Sequence, residues 1–356
     1  MTYKYTSFFL LLFTFFLVLP AHAQEITTST SDITTTTDTT TLTTTTDEVV
    51  SSTSSTEPIV YEVNTSRELI DEPTIRVGLK KTKEVVSFVS DQTYEVVSGG
   101  VYVDTLPFGE TAKLSYKKGK YFLKSASLDL VSDTFWRLEP VEDGSIFNIP
   151  GCKISYTGRK MTYCAYRGIL EYRYGPKSKM PYLINELPVE DYMKGIAETD
   201  NNSAEGYIKA VLVAARSYAY KNISFAPPTD KWLFDVYATT QDQLYLGYTS
   251  EVQMPRVAQF ADETAGEMVT YNDEIVTTPY FTHTNGVTKD WKNSAGVNDR
   301  PWLSSVECIY DKYKKYSGHG IGMSTHDALM RATKDDWGYV QLLTYYYSNT
   351  QVEKIY

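Results

Sequence analysis

An α+β fold, β-rich in its N-terminal part with central and C-terminal helices packed on strands, is predicted by three features of the sequence. Residues 74–180 break into short β-branched and aromatic runs separated by Gly, Asp or Ser. No helical period of useful length occurs before Asn185. From there on, helix-like segments are inserted between runs of strands instead of alternating with them as in a parallel sheet.

Taken in order, residues 1–23 read as a secretory signal peptide. Lys4 is followed by the apolar "FFLLLFTFFLVLP" and by "AHA" at the cleavage positions. The apolar core is shorter than the ~20 residues of a spanning helix, which favours a cleaved leader over a permanent anchor. The expected location is extracytoplasmic, secreted or held at the cell wall or membrane surface. Residues 24–58 are mostly Thr and Ser, with six acidic residues and no Lys, Arg or aromatic. Such a stretch cannot bury enough apolar surface to offset chain entropy, so it reads as a disordered linker.

The formal charge of −10 is unevenly placed, because residues 59–356 hold 33 basic against 38 acidic residues. That balance argues against nucleic acid as a partner, which calls for a basic patch. The 30 tyrosines suit half-buried sheet surfaces, and an exposed row of them would suit sugar rings.

"TIRVGLKK", "EVVSFVS", "TYEVVSG" and "VYVDTL" open the β-rich portion, and "KLSYKKGKYFLKS" reads as a hairpin around Lys118 and Gly119. "CKISYTGRKMTYC" reads as another, whose turn centred on Gly158 sets Cys152 opposite Cys164 at disulfide range and leaves Cys308 unpaired. No CxxC or HxxxH spacing supports a metal, and no cofactor is expected.

The helix-containing portion spans 185–356. "INELPVEDYMKGIAE" opens it, with Pro188 in a first turn. The next helix is expected to be capped by Asn202, with Glu205 completing a capping box. Ile208, Leu212, Ala215 and Ala219 make one face, yet "AVLVAA" at 210–215 is apolar all round, so this helix belongs at the centre. "GHGIGMSTHDALMRAT" gives a Gly-rich turn into a helix, "DWGYVQLLTYYYS" a further helix and "QVEKIY" a closing strand.

Two charges in this region call for an explanation. Arg216 follows six apolar residues and needs a partner, because an unpaired buried charge is very costly. Either it forms a structural ion pair, for instance with Glu190 or Asp191, or it lines a site and positions a substrate or a catalytic acid. Glu198 lies between two packed helical segments, where desolvation would raise its pKa and fit it to act as a general acid. Asp200, Glu205 and Glu190 are near in sequence, which leaves a paired-carboxylate hydrolase open. No G-x-S-x-G occurs, and Cys308 has no evident His partner.

Taken together, these segments resemble the stage II sporulation protein D / LytB family. The resemblance runs through "IRVGLKKTKEVVSFVS", "NELPVEDYMKGIAE", "YIKAVLVAARSYAY", "QLYLG", "DETAGEMVTYNDEIVTTPYF", "GHGIGMSTHDAL" and "LLTYYYSNTQVEKIY", in the family's order, over residues 74–356. It implies a SpoIID-like domain and a lytic transglycosylase of peptide-poor peptidoglycan glycan strands. By motif the acid/base is Glu198. It would protonate the oxygen between MurNAc and GlcNAc and then help the C6 hydroxyl attack the anomeric carbon, giving a 1,6-anhydro end. Arg216, Gln243, Tyr245, His319 and Ser324 are the expected substrate-binding residues, and a cell-wall amidase is an expected partner. The family's "GVVASEMP" is shortened by two residues here, so a shift in register would bring Asp200 to the place of Glu198. The Gln and Tyr of "GMSQYG" are Thr325 and His326. Two other readings stand beside this one: a non-catalytic wall-binding amidase enhancer, and a hydrolase using Glu198 with Asp200 or Glu205.

Overall fold

The computed structural model describes residues 60–151, 162–225 and 233–356. The expected leader at 1–23, the linker at 24–58, Cys152 and the turn at Gly158 lie outside the described residues. Strands come first, in keeping with the predicted α+β class. They are β1 (Thr74–Lys81), β2 (Val86–Ser90), β3 (Tyr94–Ser98), β4 (Val101–Leu106), β5 (Ala112–Lys117), β6 (Lys120–Lys124), β7 (Asp129–Ser132), β8 (Trp136–Pro140), β9 (Ile146–Asn148), β10 (Ala165–Arg167), β11 (Ile169–Gly175) and β12 (Met180–Pro188). The β5–β6 hairpin turns where expected. Lys118 (φ 51°) and Gly119 (φ 81°) both lie in the left-handed region, as a two-residue turn matched to strand twist requires, and Lys117 faces Lys120.

One sheet runs β10-β9-β2-β5-β6-β7. A second runs β1-β12-β11-β8-β3-β4, with the short β13 (Val236–Tyr237) added parallel to β1. Alternation decides which side chains turn inward: Val86 and Phe88 of β2, and Tyr94 and Val96 of β3, are buried. Both sheets contribute to one core, in which Phe88, Leu114 and Leu123 from the first meet Ile75, Leu138 and Leu170 from the second. Phe88 packs edge-on to Tyr94 across it, with centroids 5.1 Å apart.

The first helix, α1 (Val189–Lys194), starts later than the sequence predicts. "INELP" continues β12, because Asn185 to Pro188 pair with β1 and the Asn185 amide donates to the Arg167 and Ile169 carbonyls. Pro188 is the extended N-cap (φ −55°, ψ 148°) and not a first-turn residue.

The second helix, α2, spans Glu205–Phe225. Asn202 does not cap it. Asp200 accepts the Asn202 N–H at its carboxylate and the Ser203 N–H at its carbonyl, and this tight turn holds the segment back from the helix. Ala204 supplies the first helical carbonyl, to Ile208 N–H. Centrality is borne out: Ile208, Leu212, Ala215 and Ala219 enter the core shared with the sheets. Ala210, Val211, Val213 and Ala214 enter a second core on the other side.

α4 (Pro255–Glu263), α6 (Thr325–Lys334) and α7 (Tyr339–Tyr346) pack on α2, and α3 (Tyr248–Gln253) and α5 (Trp291–Ala295) are the other helices after it. β14 (Glu267–Tyr271) pairs with β15 (Glu274–Ile275) and with β18 (Gln351–Lys354), the expected closing strand. β16 (Tyr280–Phe281) runs parallel to β17 (Met323–Ser324). Cys164 is disulfide-bonded, and Cys308 is free and buried. Among the described residues no helix is long and apolar enough to cross a membrane.

Leu212 is fully buried on the face of α2 turned toward the sheets. Leu212→Ala is expected to lower the unfolding free energy by about 2–5 kcal/mol in a denaturant titration. A loss below about 1 kcal/mol would show that α2 is not tightly enclosed.

Candidate functional site

The site is built where the chain leaving α1 meets the segment before α3. Ala197 N–H donates to the Leu244 carbonyl at 2.8 Å, Leu246 N–H donates to the Gly195 carbonyl at 2.9 Å, and Ile196 faces Tyr245. This two-strand contact needs glycine at 195, since a Cβ there would stand 2.4 Å from the Tyr245 ring. Its last link is made by a side chain: Leu244 N–H donates to Oε1 of Glu198. The carboxyl is thereby fixed at the end of a short ladder while remaining half-buried.

Burial raises the Glu198 carboxyl above the usual carboxylate range, and the Leu244 N–H offsets only part of that. Among the described residues no cation pairs with it. Tyr192, Tyr207 and Tyr280 surround it. Burial pushes each of these phenols up, and the Glu198 charge adds to the shift. A carboxyl held in this way keeps its proton to higher pH than a solvated one, as a general acid must. Asp200 is exposed and committed to its turn, and Glu205 is paired with Lys209 at 2.6 Å. The desolvated carboxyl is therefore Glu198 and not its neighbours.

Arg216 resolves in favour of the ion pair. It is 0 % exposed, and all five of its N–H donors are used. Nε and Nη2 meet the two Glu190 oxygens at 2.8 and 2.7 Å, Nη2 also donates to the Ala261 carbonyl, and Nη1 donates to Thr264 and the Glu267 carbonyl. No donor remains for Glu198 or for a glycan. Burial alone would raise the Glu190 carboxyl. The Arg216 charge and hydrogen bonds, the Gly266 N–H and the Tyr356 hydroxyl outweigh it and hold the carboxyl below its ordinary range.

Three other expected substrate contacts also turn inward. Gln243 is 1 % exposed: its carbonyl oxygen accepts from Tyr192, and its amide donates to the Ala215 carbonyl and Tyr280. Tyr245 is 3 % exposed, with its hydroxyl on Asn185. Ser324 is fully buried, caps α6 through the Asp327 N–H and donates to Asp311. Gln243 and Tyr245 thus brace the backbone that carries Glu198, while Ser324 belongs to the start of α6 and to Asp311.

His319 does lie at the surface. Nε2 meets the Tyr280 carbonyl at 3.0 Å and Nδ1 accepts from Ile321 N–H at 3.1 Å, a pattern only the neutral ring with its proton on Nε2 satisfies. One side of the ring packs on Phe281, with centroids 5.4 Å apart, and this partial desolvation lowers its pKa despite the Tyr280 contact, with nearby Lys289 acting in the same direction. The loop carrying it presses against β16. A Cβ at Gly322 (φ 78°) would stand 2.1 Å from the Pro279 carbonyl oxygen.

Sequence reasoning missed a cluster beside this loop. Asp311 is 0 % exposed and accepts from Thr284 N–H, the Thr284 hydroxyl, Ser324 and Nδ1 of His326. "GMSTHD" marks His326 as a departure, but nothing local in "ECIYDKY" marks Asp311.

Residues 177–271 match the family model described as SpoIID, stage II sporulation protein. This segment is SpoIID-like. The match to the SpoIID family takes in Glu198, Arg216, Gln243 and Tyr245, and ends before the loop of His319. Among curated proteins, the chain is similar to an uncharacterized protein of Brachyspira hyodysenteriae (strain ATCC 49526 / WA1), 34% identical over 193 residues, which are 46% of this chain and 51% of that protein. It is also similar to the stage II sporulation protein D of Bacillus subtilis (strain 168), 23% identical over 141 residues, 36% of this chain and 41% of that protein. The chain thus spans about half the length, or less, of these two relatives.

Glu190→Gln is expected to destabilise the protein by about 3–5 kcal/mol, because it strands a buried guanidinium. The depressed Glu190 carboxyl contributes stability that is present above the ordinary carboxylate pKa and lost as pH falls through its own lower value. A melting-temperature series from pH 7 downward should therefore drop on the acid side in the wild type. The same drop in Glu190→Gln would refute the assignment.

Proposed function

We propose that this SpoIID-like protein is an extracytoplasmic lytic transglycosylase that cleaves the MurNAc–GlcNAc bond of peptide-poor peptidoglycan strands and leaves 1,6-anhydro-MurNAc ends. The observation that carries the reading is Glu198: a half-buried carboxyl with raised pKa, pinned by one backbone N–H and, among the described residues, unpaired with any cation, inside the SpoIID-matched segment. In the protonated form it donates to the glycosidic oxygen as the C1–O bond breaks. The sugar's own C6 hydroxyl closes on C1, so neither an attacking water nor a second carboxylate is needed. Asp200 and Glu205 are engaged elsewhere, which favours this one-carboxyl scheme over a hydrolase.

Purified protein and Glu198→Gln, incubated with peptide-free glycan strands and followed by mass spectrometry, test the reading. Anhydro ends are expected from the wild type, with turnover by the variant reduced at least ~100-fold. Ends heavier by one water would make the protein a hydrolase. Intact strands from both would favour a wall-binding amidase enhancer, for which an added amidase is the next assay.

Because ionising a raised carboxyl opposes folding, Glu198→Gln should melt at or above the wild-type temperature at pH 7 while losing activity. Wild-type kcat should fall as pH rises through the elevated pKa of Glu198. A markedly less stable variant would mean the carboxylate is structural.

A further inference from the structure

The exposed face of α6 carries His326, Met330 and Thr333 at the i, i+4, i+7 spacing. Met330 and Thr333 line an open groove whose opposite wall is the loop from Asp200 to Ala204, which follows directly on Glu198. Tyr207 links the two segments: its hydroxyl is hydrogen-bonded to Thr325 at the start of α6, and the Glu198 charge acts on it. His326 thus follows Thr325, which meets Tyr207, and precedes Met330 of the groove by one turn of α6.

Its ring is oriented from behind. Nδ1 lies 2.8 Å from Oδ1 of Asp311, while Oδ2 is occupied by Thr284 and Ser324. A carboxylate that takes the Nδ1 proton fixes the tautomer and leaves Nε2 with its lone pair. Among the described residues Nε2 has no partner, and the side chain is 30% exposed. A purely structural reading, in which the dyad anchors the start of α6, leaves this outward nitrogen without a role. Ser324 and Thr284 already tie Asp311 to that helix start. Beside the dyad the His283 ring stands edge-on at 6.5 Å, with a buried Nδ1 that has no hydrogen-bond partner among the described residues. An orphaned buried polar atom is expected at a working site more than in a finished structural network.

We infer that His326, oriented by Asp311, is the second proton-handling residue of the groove and accepts the proton of the sugar's C6 hydroxyl. This rests on the glycan-cleaving reading above and assigns the step that reading leaves to Glu198 alone. The C6 oxygen forms its bond to C1 as the C1–O bond to the leaving sugar breaks. Glu198 gives its proton to the departing oxygen, and His326 Nε2 takes the proton from the C6 oxygen. Exchange with solvent then reprotonates Glu198 and deprotonates the imidazolium. The charged and titratable groups nearest His326 are Asp311, His283 and, within its own helix, Asp327 and Arg331, which pair with each other at 2.7 Å.

The test compares wild type, His326→Ala and His326→Asn on peptide-free glycan strands. Asn keeps an N–H for Asp311 and removes the base. Both variants should lose kcat by about 100-fold or more with KM little changed, and free imidazole should restore part of the His326→Ala rate. His326→Asn should melt within a few degrees of the wild type. Anhydro ends formed by both variants at near wild-type kcat would overturn this inference and leave the assignment of Glu198 standing. So would a loss confined to KM, or a loss in both variants that tracks a lowered melting temperature and is not rescued by imidazole. Absence of cleavage by the wild type would overturn the glycan-cleaving reading and this inference with it.

Discussion

Arg216 and Glu190 are the contact on which the helical half is built. A guanidinium inside a helix that is apolar on every side can persist only if each of its donors finds an acceptor, and that demand reaches into several separate elements. Glu190 brings the first turn of α1, the Ala261 carbonyl and Thr264 bring α4 and its end, and the Glu267 carbonyl brings β14. Glu190 then gathers Gly266 N–H and the Tyr356 hydroxyl beyond β18. With α1 fixed in this way, the backbone leaves it toward Gly195 and Leu244 in one geometry, and Glu198 is placed by that exit. The ion pair makes no hydrogen bond to Glu198, yet it sets the start of the segment that carries it.

The surroundings of Glu198 and the cluster around Asp311 are made by different means. The setting of Glu198 is backbone-determined: a three-residue ladder ends on its carboxyl, and Gln243, Tyr192 and Tyr280 brace it from behind. The second cluster depends on side chains, with Asp311 drawing the 284 and 324 segments and the His326 ring onto one buried carboxylate. The match to the SpoIID family takes in Glu198 and stops before the second cluster.

How much of this was legible from the sequence follows the range of the physics involved. Strands β1 to β4 and the β5–β6 hairpin are local, and β-branched runs with a Lys-Gly turn located them. The central place of α2 was equally plain, because "AVLVAA" leaves it no polar face. Glu198 was recognisable from its position between two helical segments. The Asn202 cap was misread, because a local capping rule competes with a local turn rule, and Asp200 imposed the turn. Gln243, Tyr245 and Ser324 were expected to touch a glycan. A motif shows that residues belong together but not which side of the wall they face. Asp311 was invisible, since its meaning comes only from bringing 284, 311, 324 and 326 to one point.

The two-sided burial of α2 has a further consequence. Each of the two main cores closes over one of its faces, so neither can open without exposing a helix that the other still needs. The sheet-bearing half and the helical half therefore share one cooperative unit, although their secondary structures differ. Amides in the middle of α2 should be the slowest to exchange with solvent and should report the global opening of the chain. In such an arrangement the groove wall beside α2 draws its rigidity from the most protected helix in the molecule.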